Sequence, residues 1–322
     1  MPHYLITGGA GFIGSHLTEA LVEQKVLVRV LDDFSTGRRE NIAHLSDQIE
    51  LIEGDIRNLG IVRRAMRGVD FVMHQAALPS VSRSIVDPTT THEVNATGTL
   101  NVLIAAQEAK VRRVVYASSS SVYGINPVLP KQEDMATEPI SPYASAKLAG
   151  ENYCRTWSHV YGLQTVCLRY FNVFGPRQDP HSEYVAAIPR FISLMLAGDR
   201  PTIYGDGLQS RDFTYVANVV RANLLACQAD QAVCGVFNVA CGEQHSLLRV
   251  IDILNHILGR DLKPIFAPAR PGDIRDSLAC IDRAGQVLRY RVETSLKAGL
   301  EYTAQWFRQD TAPPRWRTIL KR

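Results

Sequence analysis

Residues 4–16 read Tyr-Leu-Ile-Thr-Gly-Gly-Ala-Gly-Phe-Ile-Gly-Ser-His. A short apolar run ends in glycines and an amphipathic pattern follows, which predicts a strand, a tight turn and a helix. Gly8 would make the turn, Gly11 would let the backbone approach a pyrophosphate, and Gly14 would let the helix pack closely on the strand. The N-terminus of such a helix offers free N–H groups and a positive dipole end to phosphate. We expect the three glycines, with Phe12 and Ile13, to contact a dinucleotide.

A second predicted strand, residues 26–31, is followed by Asp32, which lies 18 residues beyond Gly14. A carboxylate at about this distance binds the adenosine ribose 2′-hydroxyl of a dinucleotide, and its charge would repel a 2′-phosphate. The spacing therefore predicts NAD rather than NADP. Arg38 and Arg39 follow closely and are a second possibility as phosphate ligands. The alternative for the whole motif is a structural turn without a ligand.

The composition is that of an ordinary globular protein, with 46% hydrophobic and 21% charged residues among 322. The net charge of +3 gives no indication of nucleic acid or an anionic membrane as a partner. No apolar run approaches the ~20 residues of a membrane span. Since the first predicted strand begins at the N-terminus, we expect no signal peptide, no membrane association and a cytoplasmic location.

The cysteines are scattered among apolar neighbours and form no Cys-x-x-Cys pair. This pattern indicates buried, reduced thiols of a cytosolic protein rather than disulfides or a metal site. We therefore predict that the protein holds no metal. The residues concerned are Cys154, Cys167, Cys227, Cys234, Cys241 and Cys280.

Strand and helix patterns alternate through the first half of the chain. The alternation predicts an α/β fold, a Rossmann-like doubly wound parallel sheet with helices on both faces. Ligands of such sheets bind beyond the carboxyl ends of the strands. The residues that follow predicted strands, and are therefore expected at that edge, are Asp55, Ile56, Ala76, Ala77, Ser119 and Asn172.

The pattern changes after residue 175. Prolines and glycines separate shorter elements, and helix patterns recur at 216–227, 246–258 and 295–307. No flexible linker divides the halves. We predict an NAD-binding domain over residues 1–175 and a smaller, mixed α/β substrate-binding lobe over 176–322, with some exchange of strands and helices between them.

Tyr143 and Lys147 lie four residues apart in a predicted helix, residues 142–160, so their side chains share a face. Because an ammonium group favours a nearby phenolate, we expect Lys147 to lower the pKa of Tyr143 towards that of a general base. Lys147 can also reach the ribose next to the nicotinamide. Ser119, which ends the preceding strand, can hydrogen-bond the substrate hydroxyl that Tyr143 deprotonates. In a second predicted helix, residues 94–108, we expect Asn95 to contact the cofactor.

From Leu5 to about Phe307 the chain resembles the extended short-chain dehydrogenases/reductases that act on nucleotide sugars. Within that superfamily it is most similar to UDP-hexose 4-epimerases, especially the branch that accepts N-acetylated sugars. The matching segments are Thr7-Gly8-Gly9-Ala10-Gly11-Phe12-Ile13-Gly14, His74-Gln75-Ala76-Ala77, Ser119-Ser120-Ser121-Val122-Tyr123-Gly124, Ser141-Pro142-Tyr143, Arg169-Tyr170-Phe171-Asn172-Val173-Phe174-Gly175-Pro176, Ser210-Arg211-Asp212-Phe213 and Arg270-Pro271-Gly272-Asp273.

The resemblance implies a substrate site as well as a cofactor site. It implies that Ser119, Tyr143 and Lys147 are catalytic. Guanidinium groups suit the diphosphate because they donate paired hydrogen bonds to its oxygens. Taken singly, each match has a structural alternative, such as a surface ion pair of Arg211 with Asp212. The residues implied to bind the nucleotide sugar are Ser119, Ser120, Asn172, Ala187, Ile188, Arg211, Arg270 and Asp273.

The implied reaction inverts C4 of a UDP-hexose. Tyr143 takes the proton of the C4 hydroxyl, which Ser119 positions, while hydride passes from C4 to the nicotinamide and later returns to the other face. The cofactor is regenerated, so no external oxidant is needed. Dehydratases of the same fold carry Asp-Glu where this chain has Ser120 and Ser121, which disfavours dehydration.

Two other possibilities stay open. Decarboxylation of a uronic-acid sugar is conceivable because Arg275 or Arg83 could meet a carboxylate. A protein that only senses NAD would keep the glycine turn but often lacks the tyrosine or the lysine, both of which this chain has.

Two expectations concern selectivity and assembly. Ser277 aligns where epimerases restricted to non-acetylated sugars tend to carry tyrosine, and its small side chain predicts room for an acetamido group at C2. A structural role in a strand is the alternative for Ser277. Helices 94–108 and 142–160 resemble the pair that forms a dimer interface in relatives, so we expect a homodimer with Leu103, Leu148 and Tyr153 facing outwards, although core packing would explain these residues as well.

Overall fold

The protein is described by a computed structural model that covers residues 1–180, 187–269 and 275–309. The strands are β1 (His3–Thr7), β2 (Leu27–Asp32), β3 (Glu50–Glu53), β4 (Phe71–His74), β5 (Arg113–Ser119), β6 (Gln164–Tyr170), β7 (Val173–Phe174), β8 (Thr202–Tyr204), β9 (Ser210–Arg211), β10 (Thr214–Tyr215), β11 (Gly235–Val239), β12 (His245–Ser246) and β13 (Ile265–Ala267). The helices are α1 (Phe12–Glu23), α2 (Leu59–Ala65), α3 (Val81–Val86), α4 (Pro88–His92), α5 (Gly98–Glu108), α6 (Pro142–Tyr161), α7 (Ala187–Ala197), α8 (Val216–Gln228), α9 (Leu247–Leu258) and α10 (Leu296–Gln309).

Seven strands form one parallel sheet in the order β11-β6-β5-β4-β1-β2-β3. Two separate hydrophobic clusters cover its faces. The cluster on one face includes residues of α1 and α8, and the cluster on the other includes residues of α2, α5 and α6. The predicted α/β class with a Rossmann-like, doubly wound sheet is confirmed.

Local sequence fixes where the helices that carry the site begin and end. The Ser141 hydroxyl accepts a hydrogen bond from the Ala144 N–H at the start of α6, and Pro142 occupies the first turn. Gly162 ends that helix in the left-handed conformation (φ 70°). The predicted limits, 142–160, therefore differ from the observed ones by a single residue.

The second half of the chain builds a lobe around its own apolar cluster, which includes residues of α7, α9 and α10. Three two-stranded ladders, β7 with β10, β9 with β12 and β8 with β13, lie in this half or at its junction with the first. Strand β11 and helix α8 come from the second half but join the large sheet and its apolar cluster. The two halves of the sequence therefore share one sheet.

The outward position expected of Leu103 is wrong. Its side chain is fully buried in the cluster between the sheet and helices α2, α5 and α6, because α5 is covered by α2 and α6 as well as by the sheet. Leu148 and Tyr153 are half-buried, and Tyr153 packs against Trp157 of the same helix.

Candidate active site

The glycine turn between β1 and α1 is built so closely that side chains are excluded. Gly8 has φ +69° and donates its N–H to the Leu31 carbonyl at 2.7 Å. A Cβ on Gly14 would lie 2.0 Å from the Gly8 carbonyl oxygen, whereas a Cβ on Gly11 would meet that oxygen at 3.2 Å and no other atom closely. Gly14 thus allows the helix to approach the turn, and Gly11 leaves a bare backbone surface.

That bare surface forms the floor of a groove of about 960 Å³, open to solvent, at the carboxyl edge of the sheet. Asp32 lies in the same groove at the end of β2 and is only 5% exposed. Its two oxygens accept the N–H groups of Ala10 (2.8 Å) and Phe34 (2.9 Å). Burial raises the pKa of Asp32, and these two hydrogen bonds oppose the rise. The predicted groove residues found there are Gly8, Gly11, Phe12, Ile13, Gly14, Asp55, Ile56, Ala76, Ala77, Tyr143 and Lys147.

The two arginines after β2 are paired with acids. Arg38 contacts Asp179 at 2.6 Å, and Arg39 pairs with Glu53 and lies over the Phe34 ring. Neither arginine belongs to the described lining of the groove, whereas Asp32 lines it at the end of β2 and suits a ribose hydroxyl better than a phosphate. With the glycine cradle and this acid, the groove fits NAD.

A hydrogen-bonded chain fixes the groove wall after β4. The buried His74 ring contacts Thr7 Oγ1 through Nδ1 (2.6 Å) and Thr99 Oγ1 through Nε2 (3.0 Å). Because the Thr99 hydroxyl donates to the Asn95 carbonyl (2.7 Å), Nε2 must be the donating nitrogen of the ring. Burial and the charge of Lys147 lower the pKa of His74 to about 3, which keeps the ring neutral.

Asn95 continues this wall. Its side chain accepts the Leu78 N–H (2.8 Å) and donates to the Leu78 carbonyl (3.1 Å), so it supports a residue that lines the groove. The described lining of the groove does not include Asn95 itself. A direct contact between Asn95 and the cofactor stays a prediction.

Tyr143 meets Ser119 at the carboxyl end of β5. Their side chains are hydrogen-bonded, and this bond lowers the pKa of Tyr143 while burial, the larger effect, raises it. The Ser119 oxygen already accepts from Ser121 twice, from its N–H (3.2 Å) and its hydroxyl (2.9 Å). The Ser119 proton is therefore directed to Tyr143, where it favours the phenolate. The sequence pattern gave no indication that Ser121 would donate to Ser119.

Lys147 shares the groove but does not act on Tyr143 as expected. Its ammonium donates to the Ala117 carbonyl at 2.9 Å, and burial lowers its own pKa to about 8. The predicted lowering of the Tyr143 pKa by Lys147 is wrong, because the Tyr143 pKa lies above the usual value and the hydrogen bond from Ser119 is what lowers it. Lys147 is attached to strand β5 instead.

A second cavity, in the lobe, collects several predicted substrate residues. Asn172, Ala187, Ile188 and Arg211 line it, together with Tyr204 and Gln209. Arg211 Nη1 donates to the carbonyls of Ser210 and Arg275, both at 2.9 Å. Since Tyr170 lines the first groove and Asn172 the second cavity, the end of β6 joins the two.

The predicted gate residue lies beside this junction. Asn172 Nδ2 lies 3.1 Å from the Asp212 carbonyl and 3.5 Å from Ser277 Oγ. Ser277 is half-buried and donates its N–H to the Ser210 carbonyl at 3.1 Å. Ser120 is half-buried at the start of a short 3₁₀ turn after β5. Arg270 and Asp273 lie outside the described residues.

Sequence reasoning missed Asp212 as the centre of this lobe. Its carboxylate is fully buried and accepts the N–H groups of Cys241 (2.8 Å), Gly242 (3.0 Å) and Ala279 (3.2 Å). Burial raises its pKa to about 6. The predicted alternative, a surface ion pair with Arg211, is wrong for Asp212, because the side chain points into backbone donors of two loops.

A polar cluster beside the groove was also missed. Gln75 and Tyr170 line the groove, and Asn223 of α8 lies behind them. Asn223 Nδ2 donates to the Tyr170 hydroxyl at 2.8 Å, and Gln75 Nε2 reaches the same oxygen at 3.1 Å. Asn223 comes from the second half of the chain, so only the fold brings it here.

Two further properties concern the described ranges only. In residues 1–180, 187–269 and 275–309, no group of three or more His, Cys, Asp or Glu side chains could hold a metal ion. Within the same ranges, no helix combines the length and apolar character needed to cross a bilayer.

The chain is similar to nucleotide-sugar enzymes over nearly its whole length. A model of the NAD dependent epimerase/dehydratase family matches residues 4–240. UDP-glucose 4-epimerase of Mycolicibacterium smegmatis is 39% identical over 309 residues, which cover 94% of this chain and 98% of that protein.

Solved structures show the same similarity. UDP-N-acetylglucosamine 4-epimerase from Methanobrevibacter ruminantium, in complex with UDP-N-acetylmuramic acid, has a TM-score of 0.92 and 38% identity, over 96% of this chain and 99% of that chain. UDP-glucuronic acid 4-epimerase from Bacillus cereus, in complex with UDP-glucuronic acid and NAD, has a TM-score of 0.89 and 34% identity, over 96% of this chain and 100% of that chain.

Proposed function

The chain belongs to the NAD dependent epimerase/dehydratase family, and from this premise we propose that it interconverts UDP-hexoses that differ at C4. The proposed substrates are UDP-glucose and UDP-galactose, and also UDP-N-acetylglucosamine and UDP-N-acetylgalactosamine. The observation that carries the proposal is the hydrogen-bonded pair of Ser119 and Tyr143, with Tyr143 and Lys147 in the groove that contains the glycine turn.

Each residue of the site has a separate task in the proposed reaction. Bound NAD supplies the hydride acceptor and donor for C4 of the sugar. Tyr143 removes the proton from the C4 hydroxyl and later returns one. When the sugar is bound, the Ser119 hydroxyl turns from the Tyr143 oxygen to the C4 oxygen and so holds the substrate beside the phenol. Lys147 keeps a positive charge at the groove wall through its bond to the Ala117 carbonyl. Arg211, at the second cavity, holds the diphosphate while the sugar presents either face.

Replacing Tyr143 with phenylalanine tests the proposal. Tyr143→Phe removes the phenolic oxygen and keeps the ring, so we expect kcat to fall by roughly 10²–10⁴-fold, the contribution typical of a general base. The affinity for UDP, measured by calorimetry, should stay within about twofold of wild type. Epimerisation by Tyr143→Phe at the wild-type rate would remove Tyr143 from the mechanism. Absence of epimerisation by the wild type on all four sugars would contradict the proposed function.

The acceptance of N-acetylated sugars rests on Ser277. The serine hydroxyl lies 3.5 Å from Asn172 Nδ2, at the edge of the second cavity, and a larger side chain there would reduce the room beside C2 of the sugar. We expect Ser277→Tyr to reduce kcat/KM for UDP-N-acetylgalactosamine at least tenfold more than for UDP-galactose, as a steric clash worth about 1.4 kcal/mol would. Ser277→Ala, which keeps the space, serves as the control. An equal loss on both substrates would contradict a gate at this position.

A uronic-acid sugar remains the second candidate substrate, because the similar enzyme from Bacillus cereus binds UDP-glucuronic acid. Arg275, one of the two arginines considered for its carboxylate, contacts Asp206 at 3.1 Å. We therefore expect a sugar carboxylate to gain little from Arg275, and UDP-glucuronate to be a poorer substrate than the neutral UDP-hexoses. Adding it to purified protein without external NAD, and measuring UDP-galacturonate and released carbon dioxide, tests this directly.

We also propose that two chains associate as a homodimer through α6 and its neighbouring helices. Val160 and Tyr161 at the end of α6, and Ile85 and Val86 of α3, are large apolar side chains that are more than half exposed. Burial of such residues in a second copy would stabilise the pair. Sedimentation equilibrium of the wild type and of Ile85→Lys measures the association.

A further inference from the structure

Helix α6 is attached to the end of strand β5 at three successive residues of the strand. Tyr143 is hydrogen-bonded to the Ser119 side chain, Lys147 donates to the Ala117 carbonyl at 2.9 Å, and Glu151 accepts from the Ser118 hydroxyl at 2.5 Å. The three helix residues are spaced by four, so they lie on one face of α6. The first two belong to the proposed proton-transfer site, and Glu151 has no role yet.

Glu151 is a buried carboxylate held in a fixed orientation. It is 1% exposed, and Arg169 on β6 binds it with two parallel hydrogen bonds, Nε to Oε1 at 2.9 Å and Nη2 to Oε2 at 2.8 Å. Two-point contact of this kind restricts both side chains to one geometry. The carboxylate oxygen that receives Nε also receives the Ser118 hydroxyl.

The arginine is fixed from its other side as well. Its guanidinium lies 4.6 Å from the centre of the Tyr123 ring, and Nη1 lies 3.4 Å from the Glu133 carbonyl. The Tyr123 hydroxyl in turn donates to Asn238 Oδ1 on β11 at 2.7 Å. Glu151 is thus connected through rigid groups to β6 and β11, and not to solvent.

Strand register and close packing place the Glu151–Arg169 pair and Ser118 next to the active site. Ser118 pairs with Arg169 across β5 and β6, and the next pair along the strands is Ser119 with Tyr170. Gly150 allows α6 to lie against β5 here, because a Cβ would come within 2.2 Å of the Tyr116 hydroxyl. A movement of Ser118 therefore changes the position of Ser119 relative to the helix that carries Tyr143.

Stability alone is a poor explanation for the pair. Burying a carboxylate and a guanidinium costs desolvation that their attraction does not reliably offset, so apolar residues of similar volume often stabilise a core more. Here the pair is fully enclosed and located one residue from the proposed catalytic serine. That placement favours a positioning role.

We propose that Glu151, oriented by Arg169, is a positioning residue that holds Ser118 and thereby sets the hydrogen bond between Ser119 and Tyr143. The inference rests on the proposed function, because it assigns Tyr143 the proton transfer. Loss of the Glu151–Ser118 contact loosens Ser119, and Tyr143 then loses a donor that favours its ionised form.

The test measures the ionisation of Tyr143 in NAD-loaded protein by NMR of isotope-labelled tyrosine. Tyr143→Phe in each background identifies the resonance. Ser118→Ala removes the hydroxyl and leaves the Glu151–Arg169 pair intact, whereas Glu151→Gln keeps the size of the side chain and an acceptor for Ser118. We expect Ser118→Ala to raise the Tyr143 pKa by about half a unit to one unit, the effect of one neutral hydrogen bond. Glu151→Gln retains an acceptor for Ser118 and leaves the Arg169 charge unpaired, so it should not raise the Tyr143 pKa.

A matched control lies on the same helix. The Ser158 hydroxyl also attaches α6 to the segment that follows it, by hydrogen bonds to the Leu163 carbonyl (2.7 Å) and Thr165 Oγ1 (2.9 Å). Ser158 lies far along the helix from Tyr143. Ser158→Ala should lower the midpoint of urea unfolding as Ser118→Ala does, and leave the Tyr143 pKa unchanged. In turnover, Ser118→Ala should lower kcat several-fold with KM unchanged.

The outcomes separate the two proposals. If Ser118→Ala lowers stability like Ser158→Ala but does not move the Tyr143 pKa, the Glu151–Ser118 contact is structural and the inference is wrong. The titration requires no turnover, so a wild type that epimerises no UDP-sugar would refute the proposed function while the pKa shift still decides the positioning role.

Discussion

Gly14 and Gly11 belong to one motif, but we expect different properties of the protein to change when each becomes alanine. A methyl group on Gly14 would lie 2.0 Å from the Gly8 carbonyl oxygen and 2.8 Å from Gly9 Cα. Both are backbone atoms, so no side chain can rotate away. Helix α1 would have to move by at least about 1 Å before the contact became tolerable.

The cost of Gly14→Ala follows from what that movement disturbs. The turn is closed by hydrogen bonds from Gly8 N–H to the Leu31 carbonyl and from Gly11 N–H to the Gly8 carbonyl, at 2.7 and 3.1 Å. Overpacking costs about 1–3 kcal/mol, and a weakened hydrogen bond about 1 kcal/mol more. We expect Gly14→Ala to lower the free energy of unfolding by about 2–4 kcal/mol, a large part of a typical total of about 5–15 kcal/mol.

Gly11→Ala is the matched control. Its methyl group would meet only the Gly8 oxygen, at 3.2 Å, and its backbone angles (φ −73°, ψ 178°) suit any residue. The lower entropy of the unfolded chain nearly balances the poorer helix cap, so stability should change by less than about 1 kcal/mol. The methyl group would, however, cover the bare groove floor, and we expect NAD affinity to fall roughly tenfold or more.

Two measurements separate the glycines. Urea unfolding of nucleotide-free protein reports stability, and calorimetric titration with NAD reports affinity. We expect Gly14→Ala to lose stability, and Gly11→Ala to lose affinity for NAD without losing stability. Equal destabilisation by both substitutions would refute the assignment of distinct roles within the turn.

The remaining predictions concern buried cations. The pKa of Lys147 is about 8 in the folded protein, below its unfolded value, so the charged form disfavours folding at pH 8 and below. We expect the free energy of unfolding of the wild type, relative to that of Lys147→Met, to rise by up to about 3 kcal/mol between pH 8 and pH 10.4. Urea unfolding at several pH values measures this difference. A pH-independent difference would contradict a buried lysine. Arg113 Nη1 donates to the carbonyls of Ala226, Cys227 and Ala229 at 2.9–3.1 Å, so Arg113→Leu should cost about 3 kcal/mol by leaving the end of α8 unsatisfied, and Arg113→Lys should cost less. Thermal unfolding of the wild type and both variants measures this. An unfolding midpoint of Arg113→Leu equal to that of the wild type would exclude the capping role.

Elements with strong local signals were predictable from the sequence. The glycine turn, the acid after β2 and the helix that begins at Ser141-Pro142 all depend on neighbours within a few residues, and the structure has each of them. The family resemblance and the NAD cofactor are likewise confirmed by relatives that cover nearly the whole chain. These features are encoded locally, so pattern and spacing suffice.

Features that depend on distant pairing were not predictable. Some exchange of strands between the two halves was expected, but the five residues of β11 give no signal that β6 is the partner, since Gly235 and Val166 are far apart in sequence. Asn223 and Asp212 were missed for the same reason, since their partners come from other parts of the chain. Leu103 was placed outwards because helical periodicity cannot reveal that α5 is covered on several sides.

The expected effect of Lys147 on Tyr143 failed for an electrostatic reason. Spacing of four residues correctly places both side chains on one face of α6, but it does not say where the ammonium finds its acceptor. Lys147 donates to the Ala117 carbonyl, so the strand receives its hydrogen bond. The Tyr143 pKa depends instead on burial and on Ser119.

The charges near β2 favour NAD because of the partners that each of them has in the fold. Arg38 and Arg39 follow β2 closely enough to be considered for a 2′-phosphate, but they form ion pairs with Asp179 and Glu53. Asp32 accepts one backbone N–H at each oxygen, and a carboxylate oxygen can accept a second hydrogen bond. The groove therefore presents an acceptor to the ribose hydroxyl, and cations that could neutralise a 2′-phosphate are held by other acids. Cofactor choice here follows from the pairing of charges in the fold rather than from the number of arginines in the sequence.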